Sequence, residues 1–178
     1  NNSLVIIDRF SLNNANSIIF AQSGSGKSYT AKVEILRHLM QGTKVIIIDP
    51  EREYKQLAAS VGGSYIKLST TSKEKINPFE YIKSKDKKDL SEHIQDLTQL
   101  ISLMVGSLTS EERGSVDKAL LQTYKAKDKT SPLLSDFYKT LKTMKQKDLC
   151  NRLDRFVKGS LSAVFDSQTN IKLDNRLI

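Results

Sequence analysis

The chain has 178 residues and a formal net charge of +8, from 28 Lys and Arg against 20 Asp and Glu, with a single cysteine, Cys150. That length is enough for a real core, while one cysteine excludes a disulfide framework and a paired-cysteine metal site and agrees with a reducing compartment. No apolar run reaches membrane-spanning length and no basic-then-apolar leader is present, so a soluble chain is expected; the basic balance suits a polyanion or an acidic docking surface, but equally a lysine-rich solvated face.

Residues 4–7 (Leu-Val-Ile-Ile) predict a strand, closed by Asp8 and Arg9. The polar run 11–16, with Asn13, Asn14 and Asn16, predicts a turn, because asparagine bonds its own backbone and tolerates left-handed geometry. A short β-branched strand then follows at 17–20 and leads straight into Ala21-Gln22-Ser23-Gly24-Ser25-Gly26-Lys27-Ser28. This is the context of a phosphate-binding loop, with a buried strand before it and a periodic helix after it. Gly24 and Gly26 permit dihedrals that a Cβ opposes and bring backbone N–H groups close to phosphate oxygens. The candidate ligand-binding residues are therefore Ser23, Gly24, Ser25, Gly26, Lys27, Ser28 and Tyr29. Lys27 is placed on the β and γ phosphates as a catalytic cation, and the Ser28 hydroxyl on Mg²⁺. Where the usual pattern opens with glycine this chain has Ala21, which is tolerable if its φ is negative.

From Lys27 the spacing is helical, with Tyr29, Val33, Leu36, Leu39 and Met40 on one broad face and Gly42 as the stop. His38 reads as a boundary residue of that helix. Residues 44–49 form a second β-branched run of the kind a strand covered on both faces requires. Together these pieces make a strand–helix–strand unit, which predicts a right-handed crossover, a mainly parallel sheet and a ligand at the carboxyl ends of the strands. Asp49-Pro50-Glu51-Arg52-Glu53-Tyr54 falls at that end. Two readings stay open there: Asp49 caps a helix through Arg52 or Glu53, or Asp49 or Glu51 lies beside the attacking water or the metal. Glu51 is the catalytic carboxylate candidate. A short helix over 57–61, an edge strand over 64–68 and an ordered turn at Ile76-Asn77-Pro78-Phe79 follow.

After the charged run 83–89 the material becomes helical. Leu90, Ile94, Leu97, Ile101, Met104 and Leu108 form one apolar stripe. Thr109 or Ser110 with Glu111 and Glu112 opens a second helix bearing Val116, Ala119, Leu120, Thr123 and Tyr124. A third carries Phe137, Leu141 and Met144, and a fourth Leu149, Leu153 and Phe156. Lysines and arginines between 139 and 158 are candidates for a basic face. Residues 162–166 and 171–174 read as strand-like, and Leu177-Ile178 as the beginning of a further strand.

The asparagine-rich approach 13–16, the loop 22–29, the segment 48–54, the turn 76–79, the later Leu134-Ser135-Asp136-Phe137 and residues 159–170 together resemble the C-terminal ATPase domain of the VirB4-like proteins, also called TraE-, TraC- or TrsE-like, of type IV secretion and conjugation systems. The resemblance implies an α/β P-loop NTPase, with a RecA-like, mainly parallel sheet carrying an all-helical insertion. On that reading 1–82 is the nucleotide-binding part, 83–158 the helical subdomain and 159–178 the return to the core. It implies ATP hydrolysis with Mg²⁺, coupled to assembly of a cell-envelope machine or to substrate transfer. It also implies other secretion-channel subunits and further copies of the chain as partners, DNA as a further candidate, and a cytoplasmic place at the inner face of the cell membrane, held there through partners. Members of the family carry an apolar strand ending in Asp-Glu after the helical insertion, which is not found here, so a chain that is part of a larger domain is expected. The alternative function is a nucleic-acid-binding module with structural or regulatory nucleotide binding. A small-molecule kinase is a third, for which no acceptor pocket or lid arginine pattern is evident.

Overall fold

The computed structural model describes residues 6–81, 90–127, 130–171 and 177–178. The charged run 83–89 and most of the proposed strands at 4–7 and 171–174 lie outside the described residues. The chain divides into two compact units, Asn1–Tyr65 with Leu173–Ile178, and Ile66–Lys172.

In the first unit a 3₁₀ turn, Arg9–Ser11, is capped by the Asp8 carboxylate, which accepts from the Phe10 amide at 3.0 Å. Helix α1, Lys27–Met40, begins directly from Gly26 and ends at Gln41. Helix α2, Lys55–Ser60, starts at Tyr54. The expected strands at 17–20 and 44–49 are not laddered among the described residues: Ile18, Phe20, Ile46 and Ile48 are exposed, Ile48 to 94%. What pairing exists is parallel. Val45 bridges Leu177, with the Ile178 amide donating to the Val45 carbonyl at 3.1 Å and the Ile47 amide to the Ile178 carbonyl at 2.9 Å. On the other side of Leu177, its carbonyl accepts from the Ser64 amide at 2.8 Å. Leu177 is thereby buried, and Gly63 is required where it passes, since a Cβ there would stand 2.9 Å from the Leu177 Cβ.

The second unit is built from α3 (Leu90–Val105), α4 (Ser110–Ala126), α5 (Leu134–Thr143), α6 (Lys147–Val157) and α7 (Ser162–Phe165). The stripes expected from the sequence form its core: Ile94, Leu97 and Ile101 of α3, Val116, Ala119 and Leu120 of α4, Phe137 and Leu141 of α5, and Leu149, Leu153 and Phe156 of α6 are all buried. Thr109 and Glu112 close the expected capping box, the Glu112 amide donating to Thr109 Oγ1 at 3.2 Å and the Thr109 amide to Glu112 Oε2 at 2.8 Å. The sequence expectation fails at 162–166, where α7 replaces a strand. Leu161 and Phe165 are four residues apart, so one helical turn sets both against the core, with the Phe165 ring edge-on to Phe156 at 5.5 Å.

The turn 76–79 is tied into this unit by a buried asparagine. Asn77 Nδ2 donates to the Pro132 carbonyl at 2.9 Å and to Gln168 Oε1 at 3.2 Å, while its Oδ1 accepts from the Phe79 amide at 3.0 Å. Phe79 is thereby held in the core against Phe137, ring centroids 5.9 Å apart.

Candidate functional site

The phosphate-binding loop takes its shape from two left-handed glycines, Gly24 at φ +79° and Gly26 at φ +91°. A side chain in that conformation is strained, which is why glycine is needed at both positions. Between them Ser25 folds back, its amide and hydroxyl both donating to the Gln22 carbonyl, at 3.2 and 2.7 Å. Ala21 keeps a negative φ, because Arg52 and Lys145 alone among the described non-glycine residues have a positive one. The substitution for the usual glycine is therefore accommodated. Gly26 is the N-cap of α1 and provides no side-chain cap, so the first amides of α1 are left for an external anion. A Cβ built on Gly24 or Gly26 meets nothing within 4 Å, so the face of the loop is open.

The loop lines a cleft of about 740 Å³. Ser23, Gly24, Gly26, Lys27, Ser28 and Tyr29 form one part of it and Ile48 to Glu51, Glu53 and Tyr54 the other. Of the loop residues singled out from sequence, Ser25 is the one turned to the Gln22 carbonyl instead of lining the cleft. Glu51 is among the residues that line it.

The second wall is a capped turn. Asp49 uses both carboxylate oxygens, Oδ1 accepting from the Glu53 amide at 3.1 Å and Oδ2 from the Tyr54 amide at 2.9 Å. Asp49 thus ties down the turn ahead of α2, whose N-cap Tyr54 has no side-chain cap of its own, and it lines the cleft as well, so a capping role and a place at the rim of the cleft coexist. Arg52 takes φ +63°, reversing the chain within the turn. The carboxylate that reaches the loop is that of Glu53: Ser28 Oγ donates to Glu53 Oε2 at 2.6 Å. Sequence reasoning singled out Glu51 and missed Glu53, since a left-handed arginine is not signalled by composition. Partial burial, together with the Glu53 and Asp49 carboxylates, pushes the Tyr54 hydroxyl above its ordinary pKa. Lys32 lies over the Tyr54 ring, 5.3 Å from its centroid.

Other residues flagged from sequence have structural partners. His38 Nε2 is 3.5 Å from Glu34 Oε1, and its ring meets Phe10 edge-on at 5.5 Å. In the second unit several of the basic residues carry ion-pair partners: Lys139 with Asp136, Arg152 with Glu112 and Asp148, and Lys158 with Asp154. The described residues contain no group of three or more His, Cys, Asp or Glu able to hold a metal, and no helix among them is long and apolar enough to cross a membrane.

Comparison with known proteins decides the family. The sequence profile of the TraG P-loop domain matches residues 4–165. The chain belongs to the TraG P-loop domain family. A solved structure, that of VirB4 of Thermoanaerobacter pseudethanolicus, is similar at 31% identity and a TM-score of 0.80, over 99% of this chain and 52% of that one. The chain thus spans about half the length of the VirB4 structure it matches. Among curated proteins there is no match. The fold is that of a P-loop NTPase, and the chain is a VirB4/TraG-like ATPase domain related to type IV secretion and conjugation.

Proposed function

We propose that this domain binds ATP with Mg²⁺ and is the nucleotide-hydrolysing part of a motor that powers type IV secretion or conjugative transfer. The observation that carries the reading is the pair of left-handed glycines that delivers Lys27 and Ser28 into one cleft with the Asp49–Tyr54 turn. The residues suit the ligands. The uncapped first turn of α1 and the Lys27 ammonium favour a polyphosphate, and the oxygens of Ser28 and Glu53 are hard donors of the type Mg²⁺ takes. Mg²⁺ generally keeps several waters and shares its coordination with substrate phosphates, so a large protein cage is not needed.

In the proposed reaction water attacks the γ-phosphorus in line and ADP leaves. Lys27 and the loop amides stabilise charge on the transferred phosphoryl group and on the leaving oxygen. Ser28 would hold Mg²⁺, which when bound neutralises and orients the β and γ oxygens. Glu51, lining the same cleft, is the proposed carboxylate on the side of the attacking water. Tyr29 and Tyr54 flank the cleft with aromatic surface. Working partners are proposed to be other secretion-channel subunits and further copies of the same chain, at the inner face of the cell membrane.

The test is equilibrium binding of a fluorescent ATP analogue to the chain and to Lys27→Ala. The parent is expected to bind it in the micromolar range or tighter, and the variant at least about tenfold more weakly, for loss of a charge-assisted contact of about 1.5–3 kcal/mol. Equal affinity of the two proteins would overturn the site.

A further inference from the structure

We infer that Glu53 is the metal-side carboxylate of the cleft: it accepts the hydrogen bond of the Ser28 hydroxyl, turning that oxygen's lone pairs to a divalent cation, and supplies the negative charge that holds the cation there. The inference rests on the nucleotide-binding reading and goes beyond it by assigning the residue that sets metal affinity.

Three observations carry it. First, the hydrogen bond has a defined sense. Glu53 Oε2 lies 2.6 Å from Ser28 Oγ, and since an ionised carboxylate only accepts, the hydroxyl is the donor. A serine hydroxyl that donates its proton in this way keeps its lone pairs for a cation, so the contact prepares the oxygen for a metal instead of competing with one. Second, the carboxylate is aimed by the backbone. Asp49 pins the Glu53 and Tyr54 amides with its two oxygens, and the left-handed Arg52 supplies the reversal between them. A non-glycine residue held at positive φ is strained, and such conformations concentrate at functional sites. Third, of the turn's two other carboxylates Asp49 is already committed, both its oxygens accepting backbone amides, and Glu51 lines the cleft, whereas the Ser28 hydroxyl bonds to Glu53. Glu53 is therefore the carboxylate that the turn presents to the Ser28 hydroxyl.

The experiment measures Mn²⁺ binding, by electron paramagnetic resonance of the free ion, to the chain with a non-hydrolysable ATP analogue, beside analogue binding in EDTA. Glu53→Gln keeps an acceptor for Ser28 but removes the charge. It is expected to bind the analogue in EDTA as the parent does, to unfold at the parent's temperature, and to bind Mn²⁺ about 10–100-fold more weakly. Ser28→Ala is expected to weaken Mn²⁺ comparably, and the double variant less than the product of the two single effects, because the residues act on one ion. Mn²⁺ affinity of Glu53→Gln within twofold of the parent would overturn the inference while leaving nucleotide binding intact, as would multiplicative single effects. A parent that binds the analogue equally with and without Mn²⁺ would also overturn it. A parent that binds no analogue at all would overturn the nucleotide reading, and this inference with it.

Discussion

Replacing Asn77 by alanine should destabilise the helical unit by about 2–4 kcal/mol. The side chain makes three hydrogen bonds, two from Nδ2 to the Pro132 carbonyl and Gln168 Oε1 and one from the Phe79 amide to Oδ1. Gln168 retains the Ser131 carbonyl as a partner through its own Nε2 at 2.9 Å, so its loss counts little. Pro132 and Phe79 are almost fully buried, and an unmet buried amide or carbonyl costs about 1–3 kcal/mol each, part of which a water entering the vacated space recovers. Urea unfolding followed by far-ultraviolet circular dichroism reads the difference. Asn77→Asp offers a cross-check. Its carboxyl would be desolvated and raised in pKa, so as a group whose folded value exceeds its unfolded one it should lose stability as pH rises through the carboxylate range. A change below about 0.5 kcal/mol for Asn77→Ala would refute the account of this turn, since that is the size of an ordinary surface substitution.

Thr109→Ala should cost about 1 kcal/mol by opening the capping box of α4, read as a lower urea midpoint with unchanged slope. Burial raises the Asp136 carboxyl, but the Leu133 amide and the Lys127 and Lys139 ammonium groups outweigh it and hold it below the ordinary aspartate value. Its contribution is therefore complete above that ordinary value and lost as pH falls through the depressed one, so acid titration should destabilise the parent more steeply than Asp136→Asn. Gly26→Ala should weaken binding of an ATP analogue and lower stability by about 1–2 kcal/mol; there is room for the Cβ, so the whole cost is the left-handed backbone. Burial pushes the Cys150 thiol up, so a disulfide reagent should label it in the folded chain far more slowly than after unfolding, by thiol titration.

The helical unit was readable in advance because its contacts repeat at three and four residues along the chain. Ile94, Leu97 and Ile101, or Leu149, Leu153 and Phe156, declare their burial by spacing alone. The phosphate loop was readable because its glycines answer a backbone demand that no other residue meets. The pairing of Glu53 with the Ser28 hydroxyl was not, since it depends on which way the turn runs at Arg52, and arginine gives no hint of a positive φ. Residues 162–165 were misread because four residues contain too little periodicity to separate a helical turn from a strand, and the packing of Phe165 on Phe156 decided the matter. The runs at 17–20 and 44–49 announce strands by their β-branching, but pairing depends on neighbours distant in sequence, and among the described residues Leu177 and Ile178 alone provide one.

The return of Leu177 to Val45 has a consequence for how the chain is made. The helical unit is a single uninterrupted stretch, whereas the unit that carries the glycine loop is split, residues 173–178 following the whole of Ile66–Lys172. The bridge between Val45 and Leu177 closes about 130 residues of chain, and an unstructured loop of that length resists closure by several kcal/mol of entropy. Prior folding of the intervening helices shortens the free loop, so the order of events should run from the middle outward. During synthesis the phosphate loop leaves the ribosome before the helical unit, and Leu177 can dock beside Gly63 only after that unit has emerged. Pulse-labelled hydrogen exchange should accordingly protect the amides of α3 to α6 before those of Ile47 and Ser64.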